Sequence, residues 1–290
     1  MEYLYYPGCS LECSGRAYDE SLRSVFKILG VKLTALEDWN CCGATMYMSV
    51  DEAASMAISA RNLALAERNG SRELIAPCSA CYTVLLKTNR FLRESPELKS
   101  KVDVLLAKAG LTYNLSVRVR HPLDVLVNDI GIEGIGLVAT TPLNGISFAP
   151  YYGCQIVRPE RGFDDQDLPS TMDRLFERLG ARAVYFPWKT KCCGGMLMTT
   201  FSPVALQLVK DLLNGAAQEG ADCILTTCPM CQINLECYQE RVNKLYKTSY
   251  RMPVVFFTQL LGLALGCPEN DLGLHRNLVP FERAPAAVAG

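Results

Sequence analysis

The sequence predicts an α/β protein of two pseudo-symmetric, Rossmann-like halves that arise from an internal duplication, with its reactive side chains gathered at the C-terminal edges of parallel strands. Two observations carry this expectation. One order of cysteines occurs twice: a single cysteine (Cys9, then Cys154), an adjacent pair ahead of glycine (Cys41-Cys42, then Cys192-Cys193) and a C-x-x-C (Cys78 and Cys81, then Cys228 and Cys231). The gaps are 31, 35 and 2 residues in the first copy and 37, 34 and 2 in the second. The segments between these cysteines also match in kind, alternating strand-like and helical patterns, which is the signature of right-handed crossovers around a parallel sheet.

Taken in order, each half opens on a strand that runs into its single cysteine. A helix follows: Leu22, Val25, Phe26 and Leu29 share one face with Gly30 as the C-terminal stop, and Met172, Leu175, Phe176, Leu179 and Gly180 repeat the pattern. Short strand-like runs come next, Val31 to Leu36 and Ala183 to Phe186, each leading to a double cysteine. Helices over roughly 52–69 and 203–218 follow, the second with Pro203 suited to a first turn. The runs "RELIAPC" and "DCILTTC" are strands entering the C-x-x-C pairs. Because every cysteine element succeeds a strand, five thiols per half should collect at one sheet edge, where ligands of such sheets gather. The expected division is 1–145 for the first half, 146–267 for the second and 268–290 for a tail, weakly ordered or an extended arm, the stretch from about 90 to 145 belonging to the first half or to a connection.

Composition sets bounds on function. The 290 residues suffice for a substantial core, with 49% hydrophobic and 20% charged residues and a net charge of −1, so nothing favours nucleic acid or an anionic membrane surface. The opening "MEYLYYPGCS" has neither the charged nor the apolar region of a secretory signal, which predicts a cytoplasmic protein with reduced thiols. The apolar run Val254 to Leu265, interrupted by Thr258 and Gln259, is too short for a membrane span and reads as a buried helix. In such a compartment 14 cysteines point to metal ligands or catalytic thiols ahead of disulfides.

Five matched thiols per half exceed the four ligands of a tetrahedral zinc site and the one open position on each iron of a cubane cluster. Neighbouring side chains of an extended chain point to opposite faces, so an adjacent pair can share one centre only across a sharp turn, which Gly43 and Gly194-Gly195 permit. The spacing favours iron–sulfur over zinc. Three other readings remain open: a structural zinc scaffold, buried core cysteines, and a thioredoxin-type redox pair, although the last needs neither the distant cysteine nor the adjacent pair.

The motifs "GC…CCG…PCSACY" and "YYGCQIVRP…CCGG…CPMCQINLE" resemble the B subunit of heterodisulfide reductase and its bacterial relatives, the CCG-domain proteins, over nearly the full length. The resemblance implies that Cys9, Cys41, Cys42, Cys78 and Cys81 bind one noncubane [4Fe-4S] cluster and that Cys154, Cys192, Cys193, Cys228 and Cys231 bind a second. It further implies that a disulfide substrate enters between the halves. Electrons would come from a C-type iron–sulfur subunit fed by an A-type flavin-containing subunit. Reduction of a disulfide takes two electrons and gives two sulfur products, which suits two equivalent one-electron centres. An electron-transfer subunit of a quinone-linked or acyl-CoA reductase complex, without disulfide chemistry of its own, is the alternative.

Cys13 breaks the repeat, its counterpart being Arg158, and reads as a core or near-cluster thiol; Cys223, Cys237 and Cys267 also lack counterparts and read as packing. Arg158 is a candidate clamp for an anionic substrate group or a structural ion pair. Lys189 and Lys191 precede the second pair, either as solvated lysines or as charges offsetting thiolate repulsion or meeting a partner. His121, just before Pro122 at an expected helix start, is a candidate proton donor to a released thiolate.

Overall fold

A computed structural model describes residues 1–44, 46–157 and 163–282. The first half runs β1 (Glu2–Tyr5), α1 (Gly8–Glu12), α2 (Arg16–Ile28), β2 (Lys32–Ala35), α3 (Glu52–Arg68), β3 (Glu73–Ile75), α4 (Ser79–Glu94), α5 (Pro96–Lys108) and β4 (Arg118–Arg120). A short α6 (Pro122–Val125), a π-helical turn over Leu126–Gly131 and α7 (Ile132–Val138) lead to the second half. That half runs β5 (Ser147–Tyr151), α8 (Thr171–Arg178), β6 (Arg182–Ala183), α9 (Leu197–Thr200), α10 (Ser202–Gln218), β7 (Cys223–Thr226), α11 (Pro229–Cys237), α12 (Gln239–Tyr246), β8 (Val254–Phe256) and α13 (Phe257–Ala264).

Among the described residues the strands form two four-stranded sheets, ordered β2-β1-β3-β4 and β6-β5-β7-β8, with every pair parallel. The chain leaves β1 toward β2 and returns past it to β3, so each sheet has a switch point between its first and third strands. The cysteines follow those strand ends, at the crevice such a reversal opens. Buried Leu22, Val25 and Phe26 of α2 and Met172, Leu175 and Phe176 of α8 carry the helix faces that the spacing predicts.

Three local expectations are corrected. The apolar run from Val254 is no single helix: its first three residues pair with β7 as β8, and α13 begins only at Phe257, where Gln259 Oε1 accepts from the Phe256 backbone N–H at 2.9 Å. The strand expected over Ala183 to Phe186 is the two-residue β6. The stretch after Cys267 is fastened down as far as it is described. Leu272 is buried against Gly262, Arg276 meets Glu20 of α2 at 2.8 Å, and Asn277 Nδ2 donates to Val254 O at 2.9 Å.

The halves interlock. Helix α13, which ends the second half, packs on α2 of the first, with Ser21 Oγ 2.6 Å from Thr258 Oγ1 and the Tyr18 ring stacked on Phe256 at 4.6 Å. Reciprocally, α7 packs on α8, where Arg178 Nε donates to Glu133 at 2.9 Å.

Candidate functional site

Each C-x-x-C opens a helix: Cys78 is the N-cap of α4 and Cys228 the N-cap of α11. Their sulfurs lie where the helix leaves backbone N–H groups without internal partners, a favourable place for thiolate charge. The double cysteines turn on glycines with φ of +83° at Gly43 and +88° at Gly194. In the second turn Gly194 N donates to Cys192 Sγ at 3.3 Å and Gly195 N to Cys193 Sγ at 3.4 Å, so the turn also supplies donors to both sulfurs. Side chains hold the turns from behind. Ser59 Oγ donates to the Cys42 carbonyl, and Asn234 Nδ2 to the carbonyls of Cys193 and Gly195, each at 3.2 Å. Asn40 receives Asn62 Oδ1 on its backbone N–H at 2.9 Å and donates from its own amide to Ile58 O at 2.9 Å.

The ten repeated cysteines form one row of neighbouring sulfurs. It runs Cys9, Cys41, Cys42, Cys81, Cys78 and then, across the boundary between halves, Cys228, Cys231, Cys193, Cys192 and Cys154. Cys193 Sγ and Cys231 Sγ lie 3.5 Å apart. Beside the crossing, Ser79 Oγ lies 3.3 Å from both the carbonyl and the hydroxyl of Thr227. The row is buried in its middle, from Cys42 to Cys193, and reaches the surface at both ends, where Cys9, Cys41 and Cys192 are exposed and Cys154 half-buried. Its second-half order mirrors the first.

Protons are shared along the row. Donation from Cys81 lowers the Cys42 thiol to about 7, donation from Cys154 holds the Cys192 thiol down, and donation from Cys231 holds Cys228 well below the usual thiol range. Their neighbours Cys81, Cys154 and Cys231 are pushed up, each first by its hydrogen bond with an adjoining sulfur: Cys42, Cys192 and Cys193 in turn. Among the described residues no three cysteine, histidine or carboxylate groups converge as a cup for a single metal ion. A string of soft thiolate donors with backbone N–H support is instead the donor set of a polynuclear iron–sulfur centre. Residues and group are therefore compatible.

The other candidates fall outside this row. Arg158 lies outside the described residues. The two lysines are engaged elsewhere: Lys189 Nζ donates to Asp173 and to Pro169 O at 3.0 Å, and Lys191 Nζ meets Asp211 at 3.0 Å, so neither neutralises a thiolate. His121 does start a helix, as N-cap of α6, but it is no proton donor. Its Nδ1 accepts from Leu123 N at 3.1 Å, which places the proton on Nε2, and Nε2 donates to Pro77 O at 2.9 Å. Burial lowers it to about 4, so the ring is neutral and both nitrogens are committed. Cys223 and Cys267 are buried as expected, whereas Cys13 and Cys237 are exposed and do not pack.

Residue-by-residue reading of the sequence missed three tyrosines. Tyr6, Tyr18 and Tyr151 are fully buried, and their phenols face the sulfurs in groups: Cys81, Cys42, Cys41 and Cys9 for Tyr6, Cys228 and Cys78 for Tyr18, and Cys231, Cys193, Cys154 and Cys192 for Tyr151. For Tyr6 and Tyr151 the repeated "YYPGC" and "YYGC" were the available signal, whereas Tyr18 lies outside any repeated motif.

Parallel sheets whose strand ends deliver a single cysteine, a Cys-Cys-Gly turn and a C-x-x-C, twice over, define a duplicated cysteine-rich module. Residues 3–86 and 148–236 each match the cysteine-rich domain family CCG, and the chain belongs to that family. It is 34% identical over 280 residues to the 8-methylmenaquinol:fumarate reductase membrane anchor subunit of Wolinella succinogenes, covering 96% of this chain and 97% of that one. It is 31% identical over 277 residues to the B subunit of the ferredoxin/F(420)H(2)-dependent CoB-CoM heterodisulfide reductase of Methanosarcina acetivorans, covering 94% and 92%. A crystal structure of a hypothetical protein from Helicobacter pylori shares the fold, with a TM-score of 0.77 at 18% identity over 97% of this chain and 52% of that one, so the present chain spans about half of that structure. The named relatives are subunits of oxidoreductases. Among the described residues no helix is long and apolar enough to cross a membrane.

Proposed function

We propose that this chain is the catalytic iron–sulfur subunit of a heterodisulfide reductase-like complex, reducing or reversibly forming a disulfide. The single observation that carries the proposal is the mirror-symmetric row of ten sulfurs, five from each half, open at both ends and buried where the halves meet. Its ligand sets are Cys9, Cys41, Cys42, Cys78 and Cys81, and Cys154, Cys192, Cys193, Cys228 and Cys231, each for one noncubane [4Fe-4S] cluster. Bound there, such clusters would supply one-electron transfer, twice per disulfide. The chain's own groups hold the thiolates, set their spacing through the glycine turns, and keep water from the buried centre of the row. The complex would include a C-type iron–sulfur subunit and an A-type flavin-containing subunit.

A second reading is favoured by the similarity to the fumarate reductase subunit: the same centres pass electrons from a quinol to a partner and touch no disulfide. Protein purified anaerobically should hold iron and acid-labile sulfide for two centres and give paramagnetic resonance signals, and Cys42→Ser and Cys193→Ser should each remove one. Turnover of a low-molecular-weight disulfide with an artificial electron donor then separates the readings. Iron-loaded protein that reduces none of a panel of disulfides, yet is reduced by menaquinol in its complex, rejects the first.

A further inference from the structure

The row of sulfurs is accompanied in each half by one tyrosine at the same place. Tyr6 follows β1 and Tyr151 ends β5, and both rings are fully buried. The Tyr6 hydroxyl donates to the carbonyl of Asn40 at 2.8 Å, and the Tyr151 hydroxyl donates to the carbonyl of Lys191 at 2.7 Å. Asn40 and Lys191 are the residues immediately ahead of the two Cys-Cys pairs. A glycine packs against each ring as well. A Cβ at Gly8 would lie 3.2 Å from both Cys81 Sγ and Tyr6 Cε1, and one at Gly153 would lie 3.2 Å from Cys231 Sγ and 3.9 Å from Tyr151 Cε1. In the second half Cys231 Sγ lies 4.0 Å from Tyr151 Oη, within reach of a sulfur hydrogen bond.

We propose that Tyr6 and Tyr151 are positioning residues, one per five-cysteine set: each fixes the turn ahead of its Cys-Cys pair and offers an O–H donor to the sulfurs beside it. The inference rests on the iron–sulfur reading above. The logic lies in the hydroxyl's freedom. The phenol's own proton goes to the Lys191 carbonyl, while the Cys231 sulfur lies within reach of the phenol oxygen. As a ligand the same sulfur carries no proton and can only accept. Rotation about the phenol C–O bond then lets one proton serve the carbonyl or the sulfur. Donors to cluster sulfurs favour the reduced, more negative state and so raise the reduction potential. Two equivalent tyrosines adjust the two centres alike, as two one-electron steps toward one two-electron reaction require.

The test uses anaerobically purified, iron-loaded Tyr6→Phe and Tyr151→Phe proteins, read by paramagnetic-resonance potentiometry, with Cys42→Ser and Cys193→Ser assigning each signal to its half. Each phenylalanine should lower the midpoint potential of its own half, by about tenfold in the equilibrium constant for reduction or about 59 mV for one electron, and leave the other half unmoved. Replacing the same tyrosines by 3,5-difluorotyrosine, which keeps the hydroxyl as a stronger donor, should move that potential upward. Where a phenylalanine protein fails to load iron, the fluorinated protein decides by the same measurement. Unmoved potentials in iron-loaded variants, or equal shifts in both halves from one substitution, overturn the proposal. A wild-type protein that binds no iron overturns the iron–sulfur reading instead.

Discussion

Replacing Gly194 with alanine should damage the second half more than the matching change at Gly43 damages the first. Both glycines sit at the turn of a Cys-Cys pair with nearly the same positive φ, +88° and +83°, so each alanine incurs the left-handed penalty of about 1–2 kcal/mol. The surroundings differ. A Cβ on Gly194 would lie 2.9 Å from both Cα and Cβ of Ala205 in α10, and the former cannot move without shifting the helix. Around Gly43 the nearest atoms are Ser55 O at 3.6 Å and Ile58 Cγ2 at 3.7 Å, ordinary contact distances. Overpacking of a filled site costs about 1–3 kcal/mol, so Gly194→Ala should destabilise by about 2–5 kcal/mol against about 1–2 for Gly43→Ala. Anaerobic urea unfolding measures the difference, and iron content with resonance spectra shows which half is affected. Equal losses, or a larger loss at Gly43, would refute the argument from backbone contact.

Stability should fall with acid through His121. Its folded pKa of about 4 lies below the ordinary 6.5, so between these values the unfolded chain binds more protons. The contribution is complete above pH 6.5 and lost as pH drops to 4, worth about 3 kcal/mol at about 1.4 kcal/mol per unit, and His121→Asn should flatten that slope in unfolding measured across this window. Leu272→Ala should lower stability by about 2–5 kcal/mol, seen as an earlier denaturant midpoint, because this fully buried side chain fills the space over Gly262. Cys13→Ser and Cys237→Ser should leave the iron content unchanged, since both thiols are exposed and stand outside the row, whereas Cys228→Ser should lower it.

The duplication was legible because it is written in covalent spacing: cysteines placed directly after strands must arrive at one sheet edge wherever the helices between them go. What the sequence concealed was short or non-local. Strands β4 and β8 have three residues each, too few to show a period. A continuous apolar run such as "VVFFTQLLGLAL" cannot be divided between strand and helix by hydrophobicity alone. The stretch after Cys267 looked loose because its composition is polar, yet its anchors are individual bonds. Glu236, for example, accepts from the backbone of Leu278 at 3.0 Å and Val279 at 3.3 Å. His121 drew attention as a titratable side chain, and only its neighbours show both nitrogens already engaged.

The exchange of end helices, α13 onto α2 and α7 onto α8, has a bearing on ancestry and on dissection. A single half made alone would expose the buried face of α2 or α8 and leave its last helix, α7 or α13, without a seat. Two identical copies would satisfy both needs at once by a two-fold exchange, the geometry of a swapped homodimer. The present chain has the arrangement such a dimer would have with its two copies joined end to end, the link running through residues 139–146. Opening the link should therefore give two fragments that depend on each other for folding and reassemble as a pair.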